Sequence, residues 1–489
     1  MKKKRTKTTR HAPKQKKLPF KNKILMVGCG SIGQAILPLI FKHLGIKPSQ
    51  LSIIEADSRG AKVAKRYGVK HHVCALTRDN YEKEIRKRVE LGDFLLNLSV
   101  ETSSADIIEL CHELGVLYLD TVAEPWAGFY TDARLNAEQR SNYALRERIL
   151  ALRRKLQRSL PAGRQGPTAV SCMGANPGLV SSFIKQALLN IARDTGVKTA
   201  KPENREEWAR LAQKLGIKVI HVAERDTQVS PMPKEVGEFV NTWSIDGFVS
   251  EGGQPAEMGW GSHEKELPHD GQEHTFGCMA AIYLNRPGFS TRVRSWTPGE
   301  GPFHGFIITH NESISTSDYF SIVEDGKVIY RPTTHYAYHP CDAAVLSLHE
   351  MAGKNGKQQK RQRLIVDEIT TGSDELGVLL MGHKKTSYWF GSDLSIRETR
   401  KLVPYNNATS LQVAVAALAG LMYAIENPSL GIIEAEDLDH DFVLKISKPY
   451  LGKLHGKYSD WTPLQDRGKL FPEDLDTSDP WQFKNFRVV

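Results

Sequence analysis

The chain has 489 residues, 40% of them hydrophobic, and a formal net charge of +10 at pH 7. This length exceeds one hydrophobic core and predicts two domains with a smaller third element. Residues 1–23 hold eleven Lys and Arg and no acid, so removing them leaves the rest with a net charge of −1. We therefore expect a basic, disordered segment at residues 1–23 and a nearly neutral globular part.

The distribution of charge, apolar residues and cysteines excludes several classes of protein. A basic segment outside a neutral body predicts at most electrostatic contact with nucleic acid, not a specific complex. No run reaches the roughly 18 consecutive apolar residues of a membrane helix, and residues 1–23 lack the apolar core of a secretory signal. Six cysteines without C-x-x-C spacing favour a reduced, cytoplasmic protein. The histidines show no metal-ligand spacing, so we predict no metal.

The first predicted element is a strand, Ile24–Val27, that leads into a glycine-rich turn and an apolar segment of helical length. G-x-G-x-x-G between a strand and a helix is typical of dinucleotide binding. The first glycine makes the turn, the second admits the pyrophosphate and the third lets the helix pack closely. The helix N-terminus attracts phosphate. The predicted pyrophosphate contacts are therefore Gly28, Gly30, Ser31, Ile32 and Gly33.

A second apolar run, residues 51–54, ends in Glu55, and Asp57 follows two residues later. An acid about 20 residues past the glycines binds the ribose diol of NAD. It also repels the 2′-phosphate of NADP. We therefore predict NAD as the cofactor, with Glu55 or Asp57 on the ribose. The nearby Arg59 keeps NADP open as an alternative.

The strand–helix alternation continues and predicts an α/β fold, an N-terminal Rossmann doubly wound parallel sheet over residues 24–176. Apolar strand-like runs lie at 94–98, 116–119 and 168–173, with helical spacing at 103–114 and 141–157. Ligands of such sheets bind beyond the carboxyl ends of the strands. The candidates that follow these strands are Ser99, Glu124 and Asn176. As turn residues, Glu124 and Asn176 also have a purely structural interpretation.

Residues 239–264 combine two tryptophans, five glycines and four acids. Tryptophan offers a π face to cations, and carboxylates neutralise them. The content of glycine favours a loop-and-strand pocket over a solvated helix. We expect a pocket for a small cation, centred on Trp243. The alternative is a surface loop with two buried anchors, Trp243 and Trp260.

A second, α+β domain is expected at residues 177–404, with strand-like runs at 305–309 and 376–381. The apolar stretch at 411–425 predicts a helix that returns to the first domain. Asn406 or Asn407 would cap this helix, and Asn406 is also a candidate cofactor contact. Residues 405–489 are thus predicted as this helix followed by a mixed tail.

Several of these segments resemble the bacterial homospermidine synthases, over most of residues 23 to about 423. The segments are GCGSIGQ (28–34), LSVETSS (98–104), DTVAEPWAGFY (120–130), SNYALRE (141–147), CMGANPGLVS (172–181), EFVNTWSIDGFVSEG (238–252), AEMGWGSHE (256–264) and ITHNESIS (308–315). The resemblance implies built-in NAD, the joining of two putrescines into homospermidine with release of ammonia, a fold similar to saccharopine dehydrogenases, and a homodimer. Residues 161–167 depart from the shorter connection of that family.

Putrescine is a dication, so this chemistry needs fixed negative charge and an aromatic face rather than an oxyanion hole. Trp243 is the predicted face, as the resemblance also implies. Glu251 and Glu224 are expected to hold amino groups, and Glu124 and Asn176 to complete the wall beside the nicotinamide. His310 is the candidate proton acceptor for the incoming amine. A structural or cofactor-contacting role for it stays open.

Three alternatives remain at this stage. Spermidine is a second possible aminobutyl donor, with diaminopropane as the leaving amine. A saccharopine- or carboxynorspermidine-dehydrogenase-like enzyme would need an Arg or Lys clamp for a carboxylate, and residues 239–262 contain neither. A regulator that binds NAD or polyamines without turnover belongs to a different class.

Overall fold

The computed structural model describes residues 17–488. Most of the predicted disordered segment, residues 1–16, lies outside the described residues. Residues 17–23 pack against the first domain, so the expectation of disorder does not hold there. Leu18 N–H donates to His43 O at 2.8 Å, and Phe20 is buried.

The first domain is a seven-stranded parallel sheet with helices on both faces. Its strands are β1 (Ile24–Val27), β2 (Leu51–Glu55), β3 (Lys70–Val73), β4 (Phe94–Asn97), β5 (Leu117–Asp120), β6 (Ala169–Ser171) and β20 (Ile432–Glu434). The spatial order is β20-β6-β5-β4-β1-β2-β3, and every pairing is parallel. Its helices are α1 (Ser31–His43), α2 (Ala61–Arg66), α3 (Tyr81–Arg86), α4 (Ser104–Leu114) and α5 (Asn142–Ser159). This order is that of a dinucleotide-binding sheet.

The second domain is built on an eleven-stranded mixed sheet. Its strands are β7 (Val219–Asp226), β9 (Pro255–Gly259), β10 (Gly271–Glu273), β11 (Ala281–Pro287), β12 (Arg292–Thr297), β13 (Gly301–Phe306), β16 (Thr333–His339), β18 (Ser373–His383), β19 (Thr386–Ser395), β21 (Lys453–Ser459) and β22 (Arg487–Val488). Two smaller sheets pair β8 (Glu238–Asn241) with β17 (Arg361–Leu364), and β14 (Ile322–Glu324) with β15 (Lys327–Tyr330). The predicted fold class, a Rossmann domain plus an α+β domain, is confirmed.

The remaining helices cover the second sheet or join the domains. They are α6 (Leu179–Thr195), α7 (Arg205–Leu215), α8 (Ile245–Gly253), α9 (Asn311–Tyr319), α10 (Asp342–Gly353), α11 (Ile396–Leu402), α12 (Ala408–Glu426), α13 (His440–Ser447) and α14 (Phe483–Phe486). Helix α8 falls within the segment predicted as loop and strand. Ser244 caps it by accepting a hydrogen bond from Gly247 N–H at 3.1 Å, and Phe248 is fully buried. Burial of one face stabilises a helix whose glycine content alone would disfavour it.

Helix α12 connects the two domains. It is long and apolar enough to cross a membrane, yet 83% of that apolar window is buried inside the protein. A side chain at Gly420 would approach Met173 and Leu119 of the first domain within 2.7 Å, so the helix lies very close to that sheet. At its start, the Asn407 side chain accepts from Ser410 N–H and donates to Thr242 O in the second domain. The chain then adds β20 to the first sheet and β21 to the second.

Arg146 on α5 makes a buried ion-pair network between the domains. Its guanidinium is 3% exposed and lies 2.7 Å from Glu434 Oε1 and 2.8 Å from Asp318 Oδ2. We expect Arg146→Leu to lower the free energy of unfolding by about 3–5 kcal/mol, because Glu434 loses its partner and Asp318 keeps only Arg205. Urea unfolding followed by circular dichroism measures this loss.

Arg148, on the same helix, provides the matched control. It pairs with Asp106, but its side chain is 51% exposed. Arg148→Leu should cost at most about 1 kcal/mol, as exposed ion pairs do. Equal losses in the two variants would show that the buried network does not hold the domains together.

Candidate functional site

A cleft of about 760 Å³ lies between the two domains, at the carboxyl ends of the first-sheet strands. Both domains contribute to its wall. Residues predicted from the sequence that line it are Gly28, Gly30, Ser31, Ile32, Glu55, Ser99, Asn176, Glu224, Trp243, Glu251 and His310. The cleft therefore brings the predicted dinucleotide turn and the predicted cation pocket into one space.

The glycine turn after β1 has the geometry of a pyrophosphate site. Gly28 has φ of +86°, and a side chain there would lie 2.8 Å from Leu98 O, so only glycine fits. A side chain at Gly33 would lie 2.7 Å from Gly28 O, which explains the close start of α1. Gly30 faces open space. The N-terminus of α1 points toward the space that a phosphate would fill, so the residues present fit a dinucleotide.

Glu55 braces the glycine turn as well as lining the cleft. Its Oε1 accepts from Cys29 N–H at 3.0 Å, and its Oε2 accepts from Gly60 N–H at 3.2 Å. His71 Nε2 lies 2.9 Å from the same Oε2. These contacts fix the carboxylate at the end of β2, where a ribose would lie.

Asp57 does not line the cleft, but it holds a residue that does. Its carboxylate accepts from Arg59 N–H at 2.8 Å and from Arg59 Nε at 2.7 Å. These bonds from Arg59, the backbone one first, lower the pKa of Asp57. The Arg59 guanidinium is therefore tied to a neighbouring acid rather than free for a phosphate.

Glu224 on β7 is the buried acid at the floor of the cleft. Its Oε2 accepts from Asn176 Nδ2 at 2.9 Å and from the Tyr336 hydroxyl. Burial raises the pKa of Glu224 to about 7, against the opposing effect of these two hydrogen bonds. Asn176 follows β6 in the first domain, so this contact joins the two predicted site residues across the domain boundary.

Trp243 lines the cleft in a fixed orientation. Its indole Nε1 donates to the Tyr338 hydroxyl at 3.0 Å, and its ring packs 5.1 Å from Phe248. Tyr338 stacks on Tyr336 at 5.0 Å, which in turn lies 4.5 Å from the His310 ring. An aromatic wall thus runs along the cleft. Trp260, the other tryptophan of that segment, packs against Phe483 instead.

His310 lies between two carboxylates, Glu251 at 3.1 Å and Glu312 at 3.3 Å. Burial disfavours its charged form, but the charges of Glu312 and Glu251 outweigh burial and raise the pKa of His310 to about 10. The two carboxylates therefore favour the imidazolium form of the ring. An imidazolium has no free electron pair, so this environment favours a positioning role for His310, and its role as a proton acceptor stays a prediction.

Two further predicted residues lie outside the cleft wall. Asn406 is buried, and its side-chain amide donates to Ala35 O and Pro404 O, so it ties α1 to the start of α12. A cofactor contact through that side chain is therefore not supported. Glu124 lines a small cavity next to the cleft, where its Oε2 accepts from Glu101 N–H at 3.1 Å.

The sequence analysis missed two buried acids next to Glu224. Asp226 follows on the same face of β7, and Asp374 lies opposite Asp226 on β18. The Thr409 hydroxyl, which lines the cleft, donates to Asp374 Oδ2 at 2.5 Å. Glu224 and Asp226 stand at alternate positions on a strand face whose other members, Ile220 and Val222, are apolar, and this was a signal that could have revealed Asp226.

One group of side chains has the spacing of a metal site, in contrast to the prediction of none. Asp439, His440 and Asp441 come together at the start of α13. The Lys201 ammonium pairs with Asp441 and lies 4.0 Å from Asp439. A lysine thus supplies the positive charge there, and none of the three residues lines the cleft.

The chain matches known proteins over nearly its whole length. The Saccharopine dehydrogenase NADP binding domain matches residues 24–170, and the Saccharopine dehydrogenase C-terminal domain matches residues 174–459. The homospermidine synthase of Blastochloris viridis is 55% identical over 470 residues, which cover 95% of this chain and 97% of that protein. That of Mesorhizobium japonicum is 50% identical over 472 residues, 95% of this chain and 96% of that protein.

A solved structure from the same family is also similar to this chain in its fold. The homospermidine synthase of Legionella pneumophila, determined in complex with NAD, has a TM-score of 0.89 and 49% identity. The match covers 97% of this chain and 99% of that chain. The predicted family resemblance is confirmed by these matches.

The arrangement of Asp57 and Arg59 predicts a preference for NAD. Because the carboxylates of Glu55 and Asp57 would repel a 2′-phosphate and Asp57 pairs with the guanidinium, NAD should bind at least tenfold more tightly than NADP, a difference of about 1.4 kcal/mol. Asp57→Asn should release Arg59 and so reduce the difference in affinity between NAD and NADP. The double variant, Asp57→Asn with Arg59→Ala, should not reduce that difference. Calorimetric titration of both dinucleotides measures this. Equal affinity of the unmodified protein for NAD and NADP would refute the assignment.

Proposed function

The chain belongs to the homospermidine synthase family, and on that premise we propose that it binds NAD and joins two putrescines into homospermidine, releasing ammonia. Spermidine is the alternative aminobutyl donor, with diaminopropane as the leaving amine. The observation that carries the proposal is the shared cleft. Gly28 and Gly30 form one part of its wall, and Trp243, Glu224 and Glu251 form another. NAD, when bound, supplies a reversible hydride acceptor for the amine carbon.

Buried negative charge suits a substrate with two ammonium groups. Glu224 and Glu251 line the same cleft as Trp243. A carboxylate pairs with one ammonium group, and a desolvated cation over an indole face gains about 2 kcal/mol. The protonated imine that forms during the exchange of nitrogens is also a cation. The same wall therefore stabilises the substrate, the intermediate and the product, all of which are cations. It stabilises most strongly the positive charge at the reacting carbon.

Glu224 is the best candidate for the proton acceptor. The attacking amine must lose a proton before its nitrogen can form a bond. With a pKa of about 7, Glu224 can accept that proton near neutral pH. His310 has a different role, because its Nε2 orients the Glu251 carboxylate through a hydrogen bond of 3.1 Å.

The alternatives fit the cleft less well. A carboxylated substrate needs a basic clamp, but Arg59 is the one Arg or Lys among the cleft-lining part of residues 17–488. Arg59 lies by β2, at the ribose end, and pairs with Asp57. Turnover of putrescine distinguishes the proposed enzyme from a regulator that only binds NAD or polyamines.

The assembly and location of the protein are part of the same proposal. The likeness to the family supports a homodimer that works on putrescine and related polyamines. All six cysteines are free, which supports a reducing, cytoplasmic setting. Specific binding of nucleic acid is not part of the proposed function.

The stoichiometry of turnover tests the proposed reaction. With putrescine and a small amount of NAD, homospermidine and ammonia should form in equal amounts, and NADH should not accumulate, because the hydride returns to the product. Amine chromatography and absorbance of NADH measure both. Consumption of putrescine that stops once the NAD has become an equal amount of NADH would instead indicate an ordinary amine dehydrogenase.

Trp243 should contribute to turnover through its ring face. Trp243→Ala should lower kcat/KM more than tenfold, since a desolvated cation–π contact is worth about 2 kcal/mol and each decade of rate about 1.36 kcal/mol. Trp243→Phe should keep part of the activity. Trp260→Ala is the matched control, because Trp260 lies in the same segment but packs against Phe483.

Melting temperatures must accompany these rates, since the loss of a packed Trp costs about 3–5 kcal/mol of stability by itself. A folded Trp243→Ala variant with the kcat/KM of the unmodified enzyme would show that Trp243 is a packing residue only.

The pH dependence should report on Glu224. Its ionised form is the active one, so kcat/KM should rise as the pH increases through about 7. The Tyr336 hydroxyl stabilises the ionised form, so Tyr336→Phe should move this inflection to higher pH, and Glu224→Gln should abolish most activity. A pH–rate series of the three proteins makes the comparison. An inflection that Tyr336→Phe does not move, together with an active Glu224→Gln, would assign the base to another residue.

A further inference from the structure

A second, small cavity adjoins the cleft next to Glu251 and His310. The space open to the centre of a water-sized sphere is about 10 Å³, which is room for one molecule of that size. Glu251 and His310 line both spaces, whereas Glu124 lines the small cavity and not the cleft. Glu251 and His310 therefore belong to a wall that the cleft and the cavity share.

The wall of this cavity is rich in hydrogen-bond acceptors. It contains the carboxylates of Glu124 and Glu251 and the side-chain amides of Gln254 and Asn311. Gln254 is 4% exposed and Asn311 is 3% exposed. Within residues 17–488, the side-chain oxygen of neither amide has a hydrogen-bond partner. Since buried acceptors are normally paired, two unpaired oxygens in one cavity point to a ligand that donates hydrogen bonds.

Several of the hydrogen-bond donors in the same wall are already engaged. The Thr309 hydroxyl and the Asn142 N–H both donate to Glu257 Oε2, at 2.6 and 2.9 Å. Both ring nitrogens of His310 lie within hydrogen-bond distance of carboxylates. A water molecule brings lone pairs that need donors. An ammonium ion brings four N–H groups and no acceptor, and it has the size of a water molecule.

The charges around the cavity also favour a cation. Burial, with the nearby charge of Glu251, raises the pKa of Glu124 to about 8. The imidazolium of His310 is shared between Glu251 and Glu312. Among the described residues, Glu124 takes part in no ion pair, and a small cation in the cavity would provide one.

We propose that this cavity receives the ammonium ion that leaves during the reaction, an inference that rests on the proposed function. When the second amine has bonded to the imine carbon, a proton passes from the incoming nitrogen to the first nitrogen. The bond from the carbon to that first nitrogen then breaks, its electron pair stays on the nitrogen, and neutral ammonia leaves. The remaining nitrogen forms the new C=N bond. The released ammonia takes the proton of the Glu124 carboxyl, so that an ammonium ion and a carboxylate form together as a pair.

Product inhibition by ammonium tests this site. The full chain, with NAD and putrescine, is assayed for homospermidine by chromatography at rising concentrations of ammonium chloride, and of methylammonium chloride at equal ionic strength. We expect ammonium to inhibit the unmodified enzyme, and methylammonium, which exceeds the cavity, to inhibit about tenfold less. Gln254→Met should raise the inhibition constant of ammonium at least about tenfold, a loss of about 1.4 kcal/mol, with little change in KM for putrescine.

Gln359→Met is the matched control. Gln359 is also buried, its side-chain oxygen also lacks a partner within residues 17–488, and it lines neither space. Its ammonium inhibition should equal that of the unmodified enzyme. If Gln254→Met does not melt cooperatively, Asn311→Ala takes its place, with the same expected result.

Three results would overturn the proposal while leaving the proposed function intact. They are homospermidine formation that ammonium does not inhibit, an unchanged inhibition constant in a folded Gln254→Met or Asn311→Ala variant, and equal inhibition by methylammonium and ammonium. Absence of homospermidine from the unmodified enzyme would instead contradict the proposed function, and the ammonium site with it.

Discussion

The second domain buries three carboxylates that form no ion pair with the described part of the chain, and its structure depends on how those groups are accommodated. Glu224 and Asp226 lie on one face of β7, and Asp374 lies opposite Asp226 on β18. Each is at most 2% exposed. Removal of a carboxylate from water is costly unless hydrogen bonds replace its hydration, and burial raises the pKa of all three. Such a cluster persists only where the surrounding chain supplies donors, and a cationic substrate would relieve the remaining cost.

The donors come from separate parts of the chain, which explains why the two domains must close on each other. Thr409 at the start of α12 donates to Asp374, and Thr242 donates to Asp226 at 2.8 Å. Asn176, from the first domain, donates to Glu224. The turn that carries Asn176 also lies where a dinucleotide would meet the second domain. Helix α12 packs between the two sheets, so this one packing arrangement positions both the cofactor turn and the acid cluster.

Local patterns made the first domain predictable, and long-range pairing hid part of the site. The glycine turn, and the strands that precede Ser99 and Asn176, each follow from one short stretch of sequence. Asp374 was missed because it meets Glu224 only when β18 pairs with β7, far along the chain. The charge of His310 likewise depends on two carboxylates that folding brings to it. Glycine content predicted a loop where α8 forms, because composition does not report the burial of a helix face.

The central claim is that one cleft both removes a hydride from the carbon next to a deprotonated amine of a cationic diamine and returns that hydride to the product. Putrescine that carries deuterium at both amine-bearing carbons, supplied with unlabelled NAD in catalytic amount, tests it most directly by mass spectrometry of the product. The account predicts homospermidine that retains every deuterium of the two putrescines, because the label that leaves the oxidised carbon comes back to it. Homospermidine that has lost label next to its central nitrogen, or label that accumulates in free NADH, would contradict the account.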